Sequence, residues 1–246
     1  MLKFLYADEL KDIFTVYGSY YDLLTTDGNR IKCRNILEIF RRSFHMKLSE
    51  PLKLFSSKPD SVFVMMNPGS SEPRQFGFRE PVLPLNGSAG KLINLEMVFA
   101  KPDVTQYQVM RIMDEMKWDH VRIVNLSDIR EPKSIKFFKR VKEFEDKYNG
   151  IHTIFSDKRC AERDIVFNMK EGISPVIIGW GRDRNLLPLA EKALKFLESY
   201  NTTGIVSPDH PKLYAHPSPN LQTAKIKWLE EIVSRLKERQ VIEIKK

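Results

Sequence analysis

Cysteine is nearly missing from this chain. Cys33 and Cys160 are its only two, far apart and without a Cys-x-x-Cys spacing. A disulfide framework, an all-cysteine zinc site and a four-cysteine iron–sulfur cluster are therefore excluded. Long apolar runs are missing too: nothing approaches the roughly 18–20 residues that a membrane-spanning helix needs. The opening MLKFLYADELKD turns acidic too soon for a secretory signal. A cytoplasmic protein without membrane contact is the expectation. Internal repeats and low-complexity tracts are likewise absent. His210 and His216 with Asp209 are too few for a metal centre, so neither a metal nor a cofactor is expected.

What is present is a core. Of 246 residues, 42% are hydrophobic and 11% aromatic, enough for one full domain or a domain with an extension. Lys and Arg number 40 against 32 Asp and Glu, a net charge of +8. That excess favours polyanionic partners, nucleic acid first. The run Lys133, Lys136, Lys139, Arg140 and Lys142 reads as a solvated helix face.

Residues 1–60 read as a helical extension. Residues 9–24 are aromatic-rich, and residues 31–45 carry Ile36, Leu37, Ile39 and Phe40 at helical spacing. The turn Thr26-Asp27-Gly28-Asn29 divides them. From residue 61 the texture changes: short apolar runs at 61–66, 121–126, 176–179 and 212–215 read as strands. Amphipathic stretches at 105–116, 134–148, 156–169, 187–200 and 222–239 read as helices, the third capped by Ser156. Alternating strands and helices predict a three-layer α/β/α domain over residues 61–246, with a central, mostly parallel four-stranded sheet.

Two phrases stand at the ends of predicted strands. Met66-Asn67-Pro68-Gly69-Ser70 is a good turn on backbone grounds alone, since Pro sets φ and Gly tolerates φ > 0. Asn67 is also placed to orient a water or a base edge, though an amide cannot deprotonate. Ala215-His216-Pro217-Ser218-Pro219 presents an imidazole on a stiffened loop, with Ser218 free to bond locally or to a phosphate. Loops at the carboxyl ends of parallel strands share one cleft in open α/β sheets. Gly87-Ser88-Ala89-Gly90-Lys91 hints at a phosphate loop but lacks its spacing and its Ser/Thr after Lys.

Over residues 61–236 these pieces resemble, in order, the uracil-DNA glycosylase superfamily. Met66-Asn67-Pro68-Gly69 is similar to the first motif of its mismatch-specific branch, where Asn holds the attacking water. Val121 to Asn125-Leu126 is similar to the strand whose terminal Asn reads the uracil edge in the uracil-specific branch. Val176-Ile177-Ile178-Gly179-Trp180-Gly181 resembles that branch's third strand. His216-Pro217-Ser218-Pro219 resembles its second motif, whose His bonds the leaving base. The family stacks the base on a Phe about a dozen residues after the first motif, a place held by Phe78 with Phe76 as rival.

The resemblance implies hydrolysis of an N-glycosidic bond in damaged or mispaired DNA, single-stranded or lesion-containing. The bond breaks through an oxocarbenium-like sugar with charge building on the departing base. Asn67 and His216 would be catalytic. Asn125, Phe78 or Phe76, Gly69, Ser70, Ser218 and Trp180 would hold the base, and Arg74, Arg79, Arg130 and Arg182 the phosphates. Two departures weaken the catalytic side. The uracil-specific branch has Asp where Asn67 stands, and its Leu wedge is replaced by Asn220, with Leu221 one place late. The mixture is similar to a mostly bacterial group of the superfamily whose motifs do not establish an activity. Two alternatives stay open: a non-catalytic nucleic-acid or nucleotide binder on the same scaffold, and an enzyme acting on free nucleosides.

Overall fold

A computed structural model describes residues 2–46, 57–85, 90–148, 150–170 and 174–244, with side chains through Arg239. In chain order the elements are α1 (Ala7–Ile13), β1 (Phe14–Leu24), β2 (Arg30–Arg41), α2 (Arg42–His45), β3 (Ser61–Met65), β4 (Val82–Pro84), β5 (Val98–Phe99) and α3 (Val104–Met116). There follow β6 (His120–Asn125), α4 (Ser134–Tyr148), α5 (Cys160–Val166), β7 (Val176–Ile178), α6 (Leu187–Leu197), β8 (Thr202–Thr203), β9 (Val206–Ser207), β10 (His210–Tyr214) and α7 (Gln222–Ile244).

Among the described residues the central sheet has eight strands in the order β4-β1-β2-β6-β3-β7-β8, with β5 also on β1. β3 pairs in parallel with both β6 and β7, and β7 with β8. β1 and β6 are each antiparallel to β2, and β5 is antiparallel to β1. Every strand but β2 and β5 therefore points the same way, and the sheet is mostly parallel. β3 is buried at all five positions, the uniform apolar reading of a strand covered on both faces.

One face packs Val62, Val64, Val124 and Ile178 against Phe137 and Phe144 of α4, Val166 of α5 and Leu189, Ala193 and Leu197 of α6. The other packs Phe63, Met65, Ile123 and Ile177 against Leu10 of α1, Val109 and Ile112 of α3 and Trp228 and Ile232 of α7. The three layers are helix, sheet, helix. α3 starts at a reciprocal cap: Asp103 accepts the Thr105 and Gln106 amides at 2.7 and 3.2 Å, and the Gln106 side chain accepts the Asp103 amide.

The amino-terminal quarter differs from the sequence expectation. Residues 14–41 form a long antiparallel hairpin inside the sheet, not two helices, so the 1–60 segment contributes strands to the same layer as the rest. Both strands are buried on two faces, so they lack the two-residue alternation that marks a half-exposed strand, and their apolar positions fit helical spacing as well. The sheet accordingly has eight strands rather than four. Residues 212–215 do not provide its fourth parallel strand: β10 pairs with β9 in a separate two-stranded sheet, and β8 occupies the place beside β7. The Ser156-capped stretch is a single 3-10 turn followed by α5, which ends at Val166. Of the Gly87–Lys91 hint, residues 87–89 lie outside the described residues.

Two buried ionic clusters tie the hairpin to the body. Glu38 of β2 accepts from Arg122 Nε at 2.7 Å and pairs with His120 Nε2 at 2.6 Å. Burial alone would raise the Glu38 carboxyl, but Arg122 and His120 outweigh it and hold it below its ordinary range. Further along the same face Arg159 grips both Glu162 oxygens at 2.8 Å, Asp128 at 2.7 Å and the Asn35 carbonyl at 2.7 Å. Tyr21 donates its hydroxyl to the same Asp128 oxygen at 2.8 Å. Fully buried charges survive only when paired and hydrogen-bonded in this way.

Candidate functional site

The strand order reverses at β3: the chain passes from β6 on one side to β7 on the other. Ligands in open α/β sheets bind beyond the carboxyl ends of strands at such a switch point. Asn67 follows β3, Asn125 is the last residue of β6, and Gly179-Trp180-Gly181 follows β7.

Asn125 is 1% exposed, and neither its amide nitrogen nor its carbonyl oxygen has a hydrogen-bond partner among the described residues. It pairs in register with Met65, and both lie on the sheet face covered by α3 and α7. Gly179 is the next strand end along. A Cβ there would meet Pro217 Cδ at 2.9 Å, Pro217 Cγ at 3.1 Å and Met65 Sδ at 3.3 Å. The absence of a side chain at 179 thus seats the His216-Pro217 loop directly on the strand end. About two strand spacings, roughly 10 Å, separate the Asn125 column from the column carrying Pro217. Gln108 of α3 fixes the loop from its other side, donating to the Pro217 carbonyl at 3.0 Å.

His216 is itself held by its loop: the Ser218 amide donates to Nδ1 at 3.1 Å. With Nδ1 an acceptor, the ring proton belongs on Nε2. Burial pushes the imidazole below its ordinary pKa, so at neutral pH it is an uncharged ring with one N–H, on Nε2. It lines a cleft of about 650 Å3 together with Arg182, Ile205, Ala215, Trp228 and Glu231. Asn67, Asn125 and Phe78 do not line that cleft.

Asn67 is partly committed. Its amide nitrogen donates to the Ile129 and Glu131 carbonyls at 3.3 and 2.7 Å, clamping the loop after β3 to the loop after β6. Its carbonyl oxygen remains as an acceptor. Gly69 takes the left-handed conformation at φ 61°, and Ser71 closes the turn onto the Pro68 carbonyl at 3.1 Å.

Phe78 is half-buried and packs on the same cluster as Met65 and Tyr20, whereas Phe76 is wholly exposed. The remaining assignments divide. Ser70, Arg74, Arg79 and Arg182 are exposed. Trp180 is not a ligand-facing residue: it is fully buried, edge-on to Tyr214, with its indole N–H on the Lys212 carbonyl at 3.2 Å. Arg130 is not a surface cation either, since Glu80 holds its Nη1 at 2.6 Å and both side chains are largely buried.

The hairpin adds residues that the motifs did not indicate. Tyr20 and Arg34 are register partners on β1 and β2. The Tyr20 hydroxyl lies 3.0 Å from Ser71 Oγ, beside the Asn67 turn. Arg130 sits 5.1 Å over the Tyr20 ring. Arg34 is 1% exposed. Its one sequence signal was a polar pair, Arg34-Asn35, breaking an apolar run. Among the described residues no group of three or more His, Cys, Asp or Glu could hold a metal ion, and no helix is long and apolar enough to cross a membrane. Comparison with protein-family models, with curated proteins and with solved structures finds no match for this chain.

Proposed function

We propose that the protein is uracil-DNA glycosylase-like and hydrolyses the N-glycosidic bond of a damaged or mispaired base in DNA. The observation that carries this reading is Asn125. A buried amide presenting an unmet donor and an unmet acceptor at a strand end matches the edge of a base that offers one carbonyl and one ring N–H. Native proteins seldom leave both atoms of a buried amide unpaired, and such exceptions are functional candidates.

His216 fits the donor role. A neutral imidazole with its proton on Nε2 stabilises negative charge developing on a leaving base without carrying charge into the ground state. Asn67, its nitrogen spent on two carbonyls, has an oxygen left to orient the O–H of a water. Phe78 is the stacking candidate, because a stacking ring needs a supported face and Phe76 has none. Release of base from uracil-containing and mismatched oligonucleotides, single- and double-stranded, is the direct assay. His216→Ala and Asn125→Ala are expected to abolish release while circular dichroism stays unchanged. Full release by both variants would overturn the assignment. The rate should hold level near neutral pH and fall once His216 protonates, below the usual histidine value of 6.5.

A second reading, a binder without chemistry, is favoured by one observation: the water-holding position is an amide, and its nitrogen is already bonded. Salt-sensitive oligonucleotide binding without abasic product would identify that case.

A further inference from the structure

Arg34 stands apart from the other deeply buried cations. Arg159 and Arg122 are as buried, and each holds a carboxylate at 2.7 Å. Arg111 donates to the Leu5 carbonyl and to Gln108 Oε1 at 2.8 and 2.7 Å. Arg34 has no side-chain hydrogen bond or ion pair among the described residues, and both Nε and Nη1 are buried without an acceptor. A guanidinium cannot shed its proton to escape this, so burial of its charge stays unfavourable until an acceptor arrives.

Its surroundings supply further donors. The Tyr20 hydroxyl and Ser71 Oγ lie 3.0 Å apart, and only one of their two protons is used between them. Arg130 covers the Tyr20 ring, and its Nε is also buried without an acceptor. The nearby carboxylates are engaged elsewhere. Asp103 caps α3 through the Thr105 and Gln106 amides. Asp128 Oδ2 is taken by Arg159 and Tyr21 and Glu80 Oε1 by Arg130; Asp128 Oδ1 and Glu80 Oε2 are buried and bond none of the described residues, Arg34 included.

We propose that Arg34, with Tyr20, Ser71 and Arg130, forms a buried receptor for a phosphoryl group. The donors come from β1, from β2, from the turn after β3 and from the loop after β6. They meet around Tyr20, which pairs in register with Arg34, touches Ser71 and lies under Arg130; donors from four elements suit a tetrahedral phosphoryl oxygen set better than a planar carboxylate. The receptor lies on the same sheet face as Asn125, so a nucleotide could offer its base to one and its phosphoryl group to the other. It stands on Arg34 and not on Asn125, and does not depend on the glycosylase reading.

The test measures thermal stability and calorimetric binding with orthophosphate, with uridine 5′-monophosphate and with an oligonucleotide lacking terminal phosphates. The wild-type chain is expected to show saturable stabilisation by at least one of the three. Response to orthophosphate or the monophosphate assigns the site to a free phosphate; response to the oligonucleotide alone assigns it to a backbone diester. Arg34→Met should abolish the response and raise the melting temperature in phosphate-free buffer, because it removes an uncompensated charge. A merely structural arginine would give the opposite shift. Tyr20→Phe should weaken binding by about threefold to tenfold, the range for one lost hydrogen bond, and decides the matter if Arg34→Met fails to fold. No wild-type response to any ligand, or equal responses in wild type and both variants, overturns the proposal. Base release is assayed separately, so its loss with phosphate binding intact counts against the glycosylase reading alone.

Discussion

Two asparagines on adjacent strands offer a controlled measurement. Asn35 of β2 and Asn125 of β6 are each 1% exposed. Asn35 uses both ends of its amide, donating to the Leu92 carbonyl at 3.2 Å and accepting from Arg159 Nη2 at 2.7 Å. Among the described residues Asn125 uses neither. Asn35→Ala removes a hydrogen bond to a charged group, about 1.5–3 kcal/mol, and strands a buried carbonyl as well. A loss of about 2–4 kcal/mol is expected, which at this chain length lowers Tm by roughly 4–15 °C. Asn125→Ala removes two unpaired polar groups whose burial is unfavourable by about 1–3 kcal/mol, and forfeits about 1 kcal/mol of packing. Its net effect should be within about 1 kcal/mol of zero, or stabilising. Urea unfolding of both variants, followed by tryptophan fluorescence, gives the two values directly. Equal destabilisation would mean that the Asn125 amide is satisfied within the fold, and the case for a base-reading strand end would then lose its warrant.

Other consequences follow from the same contacts. Gly179→Ala places a methyl 2.9 Å from Pro217 Cδ and must push the His216 loop off the strand end. A displacement near 1 Å is expected to slow base release by about 100-fold in a folded protein, and an unchanged rate would show that this seat does not matter. Arg159→Met leaves Asp128 and Glu162 buried without their partner, and should lower unfolding free energy by about 3–5 kcal/mol; a loss under 1 kcal/mol would mean that the cluster is not structural. The hydrogen bond from His152, then that from Lys192, holds the Glu145 carboxyl down to about 2. Its contribution is complete above its ordinary 4.5 and disappears as pH falls towards 2. Glu145→Gln should therefore flatten the acid limb of the urea midpoint between those pH values, and an unchanged limb would contradict the assignment.

The part of the fold carried by local signals was readable from residues 61 onward. Strands β3, β6 and β7 are short apolar runs ended by Asn, Asn-Leu or Gly-Trp, and α3, α4, α6 and α7 show helical periodicity with recognisable starts. Each of these is settled within a few residues of chain, so the sequence determined the α/β layering and set Asn67 and Asn125 at strand ends. The hairpin was not settled that way. Tyr17, Tyr20 and Tyr21, like Ile36, Leu37 and Ile39, are apolar on both sides because helices cover both faces of the sheet, and that pattern is common to a buried strand and a buried helix. β10 failed for a related reason: five residues cannot specify which edge they join. Partnership is where tertiary structure alone decided. Arg159 has one local partner, Glu162 three residues on, but its bonds to Asp128 and Asn35 come from the fold, and nothing local distinguishes Asn125 from Asn35, because hydrogen-bond satisfaction there depends on groups brought from dozens of residues away. The sequence determined which polar residues reach the sheet; packing determined which of them are left with a bond to offer.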